Sequence, residues 1–186
     1  MAFSDDDLID GCCKDQRSSQ QQLYEKYSGQ MYAVALRYSK AQQEAEDILQ
    51  EAFLKVFQNI KKFRKDSSLP YWIKRIVVNT ALNHQRSKLY LYPMVDVTDL
   101  KSKFTEEVTL SNFNHKELLQ LVKKLPSGCQ VIFNLYAIEG YKHHEIAKSL
   151  EISEGTSKSQ YARAKSLLQK WIIENNDINY EQAGEF

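Results

Sequence analysis

The 186-residue chain has little of what breaks a helix, with three prolines and six glycines. That scarcity, beside apolar residues recurring every three to four positions, argues against a turn-rich β architecture and predicts a nearly all-α protein. There is no apolar run of 18 or more residues, so no membrane insertion is expected. The first ten residues, MAFSDDDLID, are acidic where a secretory signal is basic and then apolar, which predicts a cytoplasmic protein. Cysteine is rare too: three in all, with Cys12 and Cys13 adjacent, which suits reduced thiols better than a disulfide framework. Nor is there a metal-ligand spacing. His143 and His144 are neighbours, and on a helix they point about 100° apart, which is awkward for sharing one ion. No metal, cofactor or catalytic residue is expected, and the chain does not read as an enzyme.

What the chain does have is segregated charge behind a net of only +1. Residues 1–60 carry six basic and ten acidic groups, whereas residues 61–90 carry eight basic and one acidic. Residues 140–171 are basic again, six against three, and the end from 172 carries only four acids. Two separate basic blocks in a nearly neutral chain suggest two phosphate-facing surfaces on different helices.

Ser4 before Asp5, Asp6 and Asp7 reads as a helix start, a cap followed by acids at the positive end of the dipole. That first helix should bury Leu8 and Ile9 and end near Lys14. A second, about Ser18 to Ser39, places Leu23, Tyr27, Met31, Val34 and Tyr38 on one side, with Gly29 as an interruption. The third, about Gln43 to Lys61, has Ala45, Ile48, Leu49, Ala52, Phe53, Val56 and Phe57 at helical spacing. At 100° per residue Asp47, Gln50, Glu51 and Leu54 share the opposite side. An acidic and amide stripe with one exposed leucine suits docking on a basic partner helix. The basic loop KKFRKDSSL follows, and Pro70 then opens a helix whose buried face is Trp72, Ile73, Ile76, Val77 and Thr80. Arg75, Asn79, Asn83 and Arg86 line another face beside Leu82. Arginines for phosphates, amides for base edges and aromatics for stacking are what a melted nucleic acid requires.

From about Ser87 to Ser111 the periodicity fails, and the stretch reads as an extended linker between two helical domains. A new domain begins near Asn112. Leu118, Leu119 and Val122 pattern one helix, ended by Leu125-Pro126; Ser127 caps the next, whose buried stripe is Val131, Ile132, Leu135 and Tyr136. After Gly140 comes HHEIAKSLEISEGTSKSQYARAKSLLQKW, from His143 to Trp171. Ile146, Ala147 and Leu150 form a narrow apolar stripe, Ile152 closes a turn, and Ser153 caps a longer basic helix. This is a helix-turn-helix pattern, whose second helix enters a DNA major groove.

Together these segments resemble an extracytoplasmic-function (ECF) sigma factor, the smallest type of bacterial RNA polymerase sigma subunit. Residues 45–53, AEDILQEAF, are similar to the family's polymerase-clamp helix. Residues 69–86, LPYWIKRIVVNTALNHQR, resemble its promoter-melting and minus-ten-reading segment. Glu145-Ile146-Ala147, then Gly155 through Gln160 and Arg163-Ala164-Lys165, resemble its minus-thirty-five reader. The resemblance implies an N-terminal sigma domain at 1–88, a linker at 89–111, a helix-turn-helix domain at 112–173 and a flexible acidic tail at 174–186.

It also implies roles. Asp47, Gln50, Glu51 and Leu54 grip core RNA polymerase. Phe63, Arg64, Lys65, Asp66, Ser67 and Ser68 form a pocket for a flipped minus-ten base, with Trp72 near it. Arg75, Asn79, Asn83 and Arg86 hold the melted strand, and Thr156, Ser157, Lys158, Ser159, Gln160, Arg163 and Lys165 meet the minus-thirty-five duplex of promoter DNA. The linker threads the polymerase, and an anti-sigma factor is an expected partner. The chain departs from the family pattern at Asn83, often aspartate, and at Glu151, in a turn position where glycine is common. It departs again at Ser157, usually β-branched, and at Gln160, frequently arginine. The competing expectation, a two-domain helix-turn-helix regulator of operator DNA, leaves the Asp47 stripe and the basic loop without a role.

Overall fold

In a computed structural model, described for residues 4–89 and 115–183, every regular element is helical. The chain divides into two compact units, 1–85 and 86–186.

Unit 1 begins with α1 (Asp5–Cys13). The Ser4 hydroxyl accepts from the Asp7 amide at 3.2 Å, and the Asp7 carboxylate accepts from the Ser4 amide at 3.1 Å. This reciprocal capping box closes two otherwise orphaned donors and starts the helix where the sequence predicts. Helix α2 (Arg17–Tyr38) runs unbroken through Gly29. It packs on α1 so closely at Gly11 that an added Cβ would collide with the Ser19 side chain, lying 2.6 Å from its Cβ. Helix α3 (Gln42–Asn59) buries Ala45, Ile48, Leu49, Ala52, Phe53 and Val56, as its periodicity predicts. A single 3₁₀ turn, Ile60–Lys62, leads into the basic loop, and α4 (Leu69–Leu89) returns across the unit. Ile73, Val77, Thr80 and Ala81 of α4 are buried. Gln85 is buried as well, its amide donating to the Tyr38 carbonyl at 2.7 Å and to Glu44 at 3.2 Å, which satisfies a polar group that would otherwise be costly inside. Trp72 and Ile76, expected on the buried face, are only half-buried, and Leu82, expected beside the arginine and asparagine face, is buried.

In unit 2, α5 (His115–Lys124) and α6 (Ser127–Phe133) precede a π-helical turn, Asn134–Ile138, and then α7 (His143–Leu150) and α8 (Glu154–Ala183). Val122, Leu125, Cys129 and Ala164 form one cluster of its core, with Phe133, Leu167, Leu168 and Trp171 packed against them. Glu151 ends α7 in the left-handed region, φ 57° and ψ 42°, its amide donating to the Ala147 carbonyl. The turn thus takes the conformation that favours glycine, at a cost of about 1–2 kcal/mol for an L-residue. Ser153 caps α8, accepting from the Thr156 amide at 2.9 Å. Tyr136 departs from the expected buried stripe. The π-helical turn shifts the helical phase, and the ring, 37% exposed, stacks on His143 at 4.2 Å between centroids. Helix α8 continues past Ile173, without proline or glycine to stop it, through most of the stretch assigned to a flexible tail. The linker assigned to 89–111 lies, after Leu89, outside the described residues, as does the expected helix start near Asn112.

Candidate nucleic-acid interface

The basic loop of unit 1 is held, not free. Lys65 sits in the left-handed region, φ 59°, with its ammonium 2.5 Å from Asp6, and Lys61 lies 2.9 Å from Asp15. Asp6 lies in the first turn of α1 and Asp15 just past its end, so the acidic N-terminal segment and the basic block meet directly. Hydrogen bonding to these carboxylates holds both lysines above their usual pKa range. Arg64, Asp66 and Ser68 are exposed, Ser67 is half-buried, and the Ser68 carbonyl accepts the Trp72 amide at 3.1 Å to open α4.

Phe63 folds back onto Trp72, ring centroids 5.1 Å apart. Beside Trp72, between α3, the 3₁₀ turn and α4, lies a groove of about 440 Å³. Trp72 and Ile76 are its apolar lining; Asn59, Asn79 and Asn83 supply amides; Lys55 and Lys62 supply ammonium groups; Thr80 supplies a hydroxyl. Amides and cations around an aromatic plane suit a single unstacked base with its phosphate. Of the residues predicted to face melted DNA, Trp72, Asn79 and Asn83 meet here. Arg75 is exposed outside this lining, and the Arg86 side chain lies outside the described residues. Lys55, Asn59, Lys62 and Thr80 are the members that sequence reasoning missed. Lys55 and Asn59 come from α3, Lys62 from the 3₁₀ turn and Thr80 from α4, and only the return of α4 brings the first three to Trp72.

On α3, Asp47, Gln50 and Leu54 are exposed, Leu54 to 62%, a high value for an apolar side chain. Glu51 differs. Its carboxylate takes the Lys55 ammonium at 2.6 Å and the His84 ring at 2.6 Å. Hydrogen bonds from Lys55 and then His84 hold it below the usual carboxylate range.

In unit 2 the predicted contact residues of α8 divide. Ser157 and Gln160 are buried, at 0% and 5% exposure. Ser157 pairs with the His143 ring at 2.9 Å, and Gln160 accepts from the Cys129 thiol at 3.0 Å. They join the helix-turn-helix internally. These two of the four departures from the family pattern thus occupy inward positions, where they change the packing of the motif. Lys158 and Lys165 are exposed; Thr156, Ser159 and Arg163 are partly so. Gly155 and Ala162 are exposed and Ser166 half-buried, and at 100° per residue these small residues form the middle of the outward face. Cations flank them on both sides. Ala162 and Ser166 escaped notice in the sequence because they carry no charge, yet small side chains let a helix lie deep against base edges.

The comparisons with known proteins follow this division. The Sigma-70 region 2 family matches residues 23–89, and the Sigma-70, region 4 family matches residues 115–168. The two matches together take in well over half of the chain. The chain belongs to the ECF sigma factor family. It is 28% identical over 171 residues to the ECF RNA polymerase sigma factor SigM of Mycobacterium tuberculosis, covering 91% of this chain and 85% of that protein. To the ECF RNA polymerase sigma-E factor of Escherichia coli it is 25% identical over 178 residues, covering 89% and 93%. A solved fold is similar as well: the sigma factor RpoE of Bartonella quintana, crystallised with the anti-sigma factor NepR, at a TM-score of 0.51 and 19% identity, covering 83% of this chain and 96% of that one. Sigma factors are transcription factors rather than enzymes, and this one directs promoter-specific initiation by RNA polymerase. No helix of the described residues is long and apolar enough to cross a membrane.

Proposed function

We propose that this sigma factor melts its promoter by capturing an extruded minus-ten base in the groove between α3 and α4. The observation that carries the reading is the groove itself: Trp72 and Ile76 as an apolar wall, with Asn79, Asn83, Lys55 and Lys62 converging on it. Extruding a base costs a few kcal/mol of unstacking, which stacking on an aromatic ring and hydrogen bonds to the base edge can return. Arg64 and Arg75, both exposed, fit contacts to the neighbouring phosphates.

The second DNA contact is the outward face of α8. Thr156, Lys158, Ser159, Arg163 and Lys165 meet the minus-thirty-five duplex around Ala162 and Ser166, while Ser157 and Gln160 act from inside the motif. Asp47, Gln50 and Leu54 dock on core RNA polymerase, Leu54 as the apolar anchor. An anti-sigma factor that covers these DNA-facing surfaces is the natural antagonist. The protein works in the cytoplasm without catalytic residues of its own, and residues 89–111 connect its N-terminal sigma domain, 1–88, to the helix-turn-helix domain, 112–173.

The test is in vitro transcription with purified core polymerase. Replacing Asp47, Gln50 and Leu54 with alanine should abolish polymerase binding. Replacing Asn79 and Asn83 should leave that binding intact and stop open-complex formation. If the asparagine variant opens promoters normally, the groove does not hold the base.

A further inference from the structure

Three aromatic side chains among the described residues are exposed: Tyr24, Tyr71 and Tyr136. Tyr24 meets Phe53 edge-on at 4.7 Å, and Tyr136 stacks on His143 at 4.2 Å. Tyr71, the most exposed at 52%, has no ring partner among the described residues. One exposed ring is ordinary on a protein surface, so its place on α4 decides what it can do. From Leu69 to Gln85 the exposed residues of α4 are Tyr71, Arg75, Asn79 and Asn83, each four after the last. That spacing turns only about 40° per step, so the four form one ridge about 18 Å long. Asn79 and Asn83 belong to the groove, whereas Tyr71 and Arg75 continue the same ridge past it, toward the basic loop.

A strand with one base in the groove has its next bases close by. Ile76, midway along the α4 residues of the groove, lies about 7.5 Å along the helix axis from Tyr71. Stacked nucleotides rise about 3.4 Å each, so the ring lies about two steps from the captured base. Extruding one base strips a stacking partner from its neighbours, and an aromatic side chain can take that place. Phe63 and Trp72 are already paired, ring centroids 5.1 Å apart, with Trp72 in the groove wall. Tyr71 is thus the ring left over at this end. It has only two side-chain torsions, and Pro70 fixes the backbone just before it, so ordering it on a base costs little entropy. Arg75, one turn along the ridge, is placed for the phosphate between the two bases.

We propose that Tyr71 is a second base platform: its ring stacks on a base one or two nucleotides from the captured one, on the loop side of the groove. The melted strand is then held by one base read in the groove and one base held whatever its identity, since every base has a π-face. This rests on the groove being the site of the extruded base, so the test separates the two. The full chain is assembled with core polymerase and offered fork-junction DNA. Each single-stranded position is made abasic in turn, or exchanged among the four bases, and core affinity is measured alongside. At the platform position an abasic site should weaken binding about five- to tenfold, the low end for stacking because the ring is open to water, while base exchange changes it less than about twofold. Tyr71→Ala should weaken binding to intact DNA by the same factor and cost nothing further on DNA abasic at that position. Tyr71→Phe should bind like the unsubstituted chain, and core affinity should stay unchanged in both.

Four outcomes overturn parts of this. If Tyr71→Ala binds intact DNA normally, or keeps the full abasic penalty at every position, no base stacks on Tyr71 and the groove stands. If Tyr71→Phe is as weak as Tyr71→Ala, the contact runs through the hydroxyl and the platform fails. If Tyr71→Ala loses core affinity, the ring is a polymerase contact. If Asn79→Ala and Asn83→Ala keep the base preference while the Tyr71 results hold, the groove reading fails and the stacking surface stands without it.

Discussion

The two DNA-facing surfaces are built on opposite plans. Unit 1 offers a concave groove, assembled from α3, a 3₁₀ turn and α4, with amides and ammonium groups aimed inward around Trp72. Unit 2 offers the convex side of α8, small residues along the middle and cations at the edges. A concave site can enclose a base taken out of its stack, and a convex helix can only read edges that a duplex already shows. On the function proposed above, one chain carries a reader for melted DNA and a reader for duplex DNA, and the shape of each surface suits its role.

The sharpest way to break this contrast is at the asparagines. Replacing Asn79 and Asn83 together should weaken single-strand capture by about 2–6 kcal/mol, two base-edge interactions at about 1–3 kcal/mol each. Binding to minus-thirty-five duplex by the same holoenzyme should not move. Equal losses on both substrates would mean that the groove is not specific for melted DNA.

Stability should divide as the architecture does. Gly11→Ala forces a Cβ against Ser19 and should destabilise unit 1 by about 1–3 kcal/mol. The chain has two tryptophans, Trp72 in unit 1 and Trp171 in unit 2, so single-tryptophan variants report each unit separately. Only the Trp72 signal should shift. Arg163→Ala is expected to cost less, about 1 kcal/mol of duplex affinity, and to lower the salt slope by about one unit if it meets one phosphate. Single-strand capture should be indifferent to it.

The smallest effect concerns pH. Burial, and then the nearby Lys158, lower the His143 pKa from its ordinary 6.5, while the ring stacks on Tyr136 and bonds Ser157. A depressed folded-state pKa gives stability that is present above 6.5 and lost as pH falls through the folded value. The Trp171 transition should therefore move to lower temperature between neutral and mildly acidic pH, and His143→Phe should flatten that dependence. Glu154, Lys158, Tyr136 and Tyr161 face the ring, His144 acts on Glu154, and all stay in place in that comparison.

How much of this was legible beforehand depended on the range of the interaction. Caps at Ser4 and Ser153, the stripe of α3 and the helix-turn-helix follow from residues three or four apart, and all were readable. The groove was not, because Lys55 and Thr80 meet only when α4 returns across α3. Motif position alone points Ser157 and Gln160 at the duplex; the helical phase set by Ala164 and Leu168 turns them in. Tyr136 departs from its stripe for a related reason, since a π-helical turn leaves no mark in a 3.6-residue pattern. Glu151 was the reverse case. Its unsuitability for a left-handed turn was visible in the sequence, and the backbone adopts that conformation regardless.

The contact between α1 and the basic loop has one more implication. A phosphate approaching Lys65 or Lys61 does not find a bare cation; it finds one already facing Asp6 or Asp15. On the proposed function, what the loop contributes to DNA binding is then an exchange of one anion for another, a difference between two attractions instead of the whole of either. The carboxylates remain tethered a few ångströms away and can reclaim their lysines whenever the strand leaves. A subunit that must seize a promoter and later give it up is well served by a grip that is nearly balanced from the start.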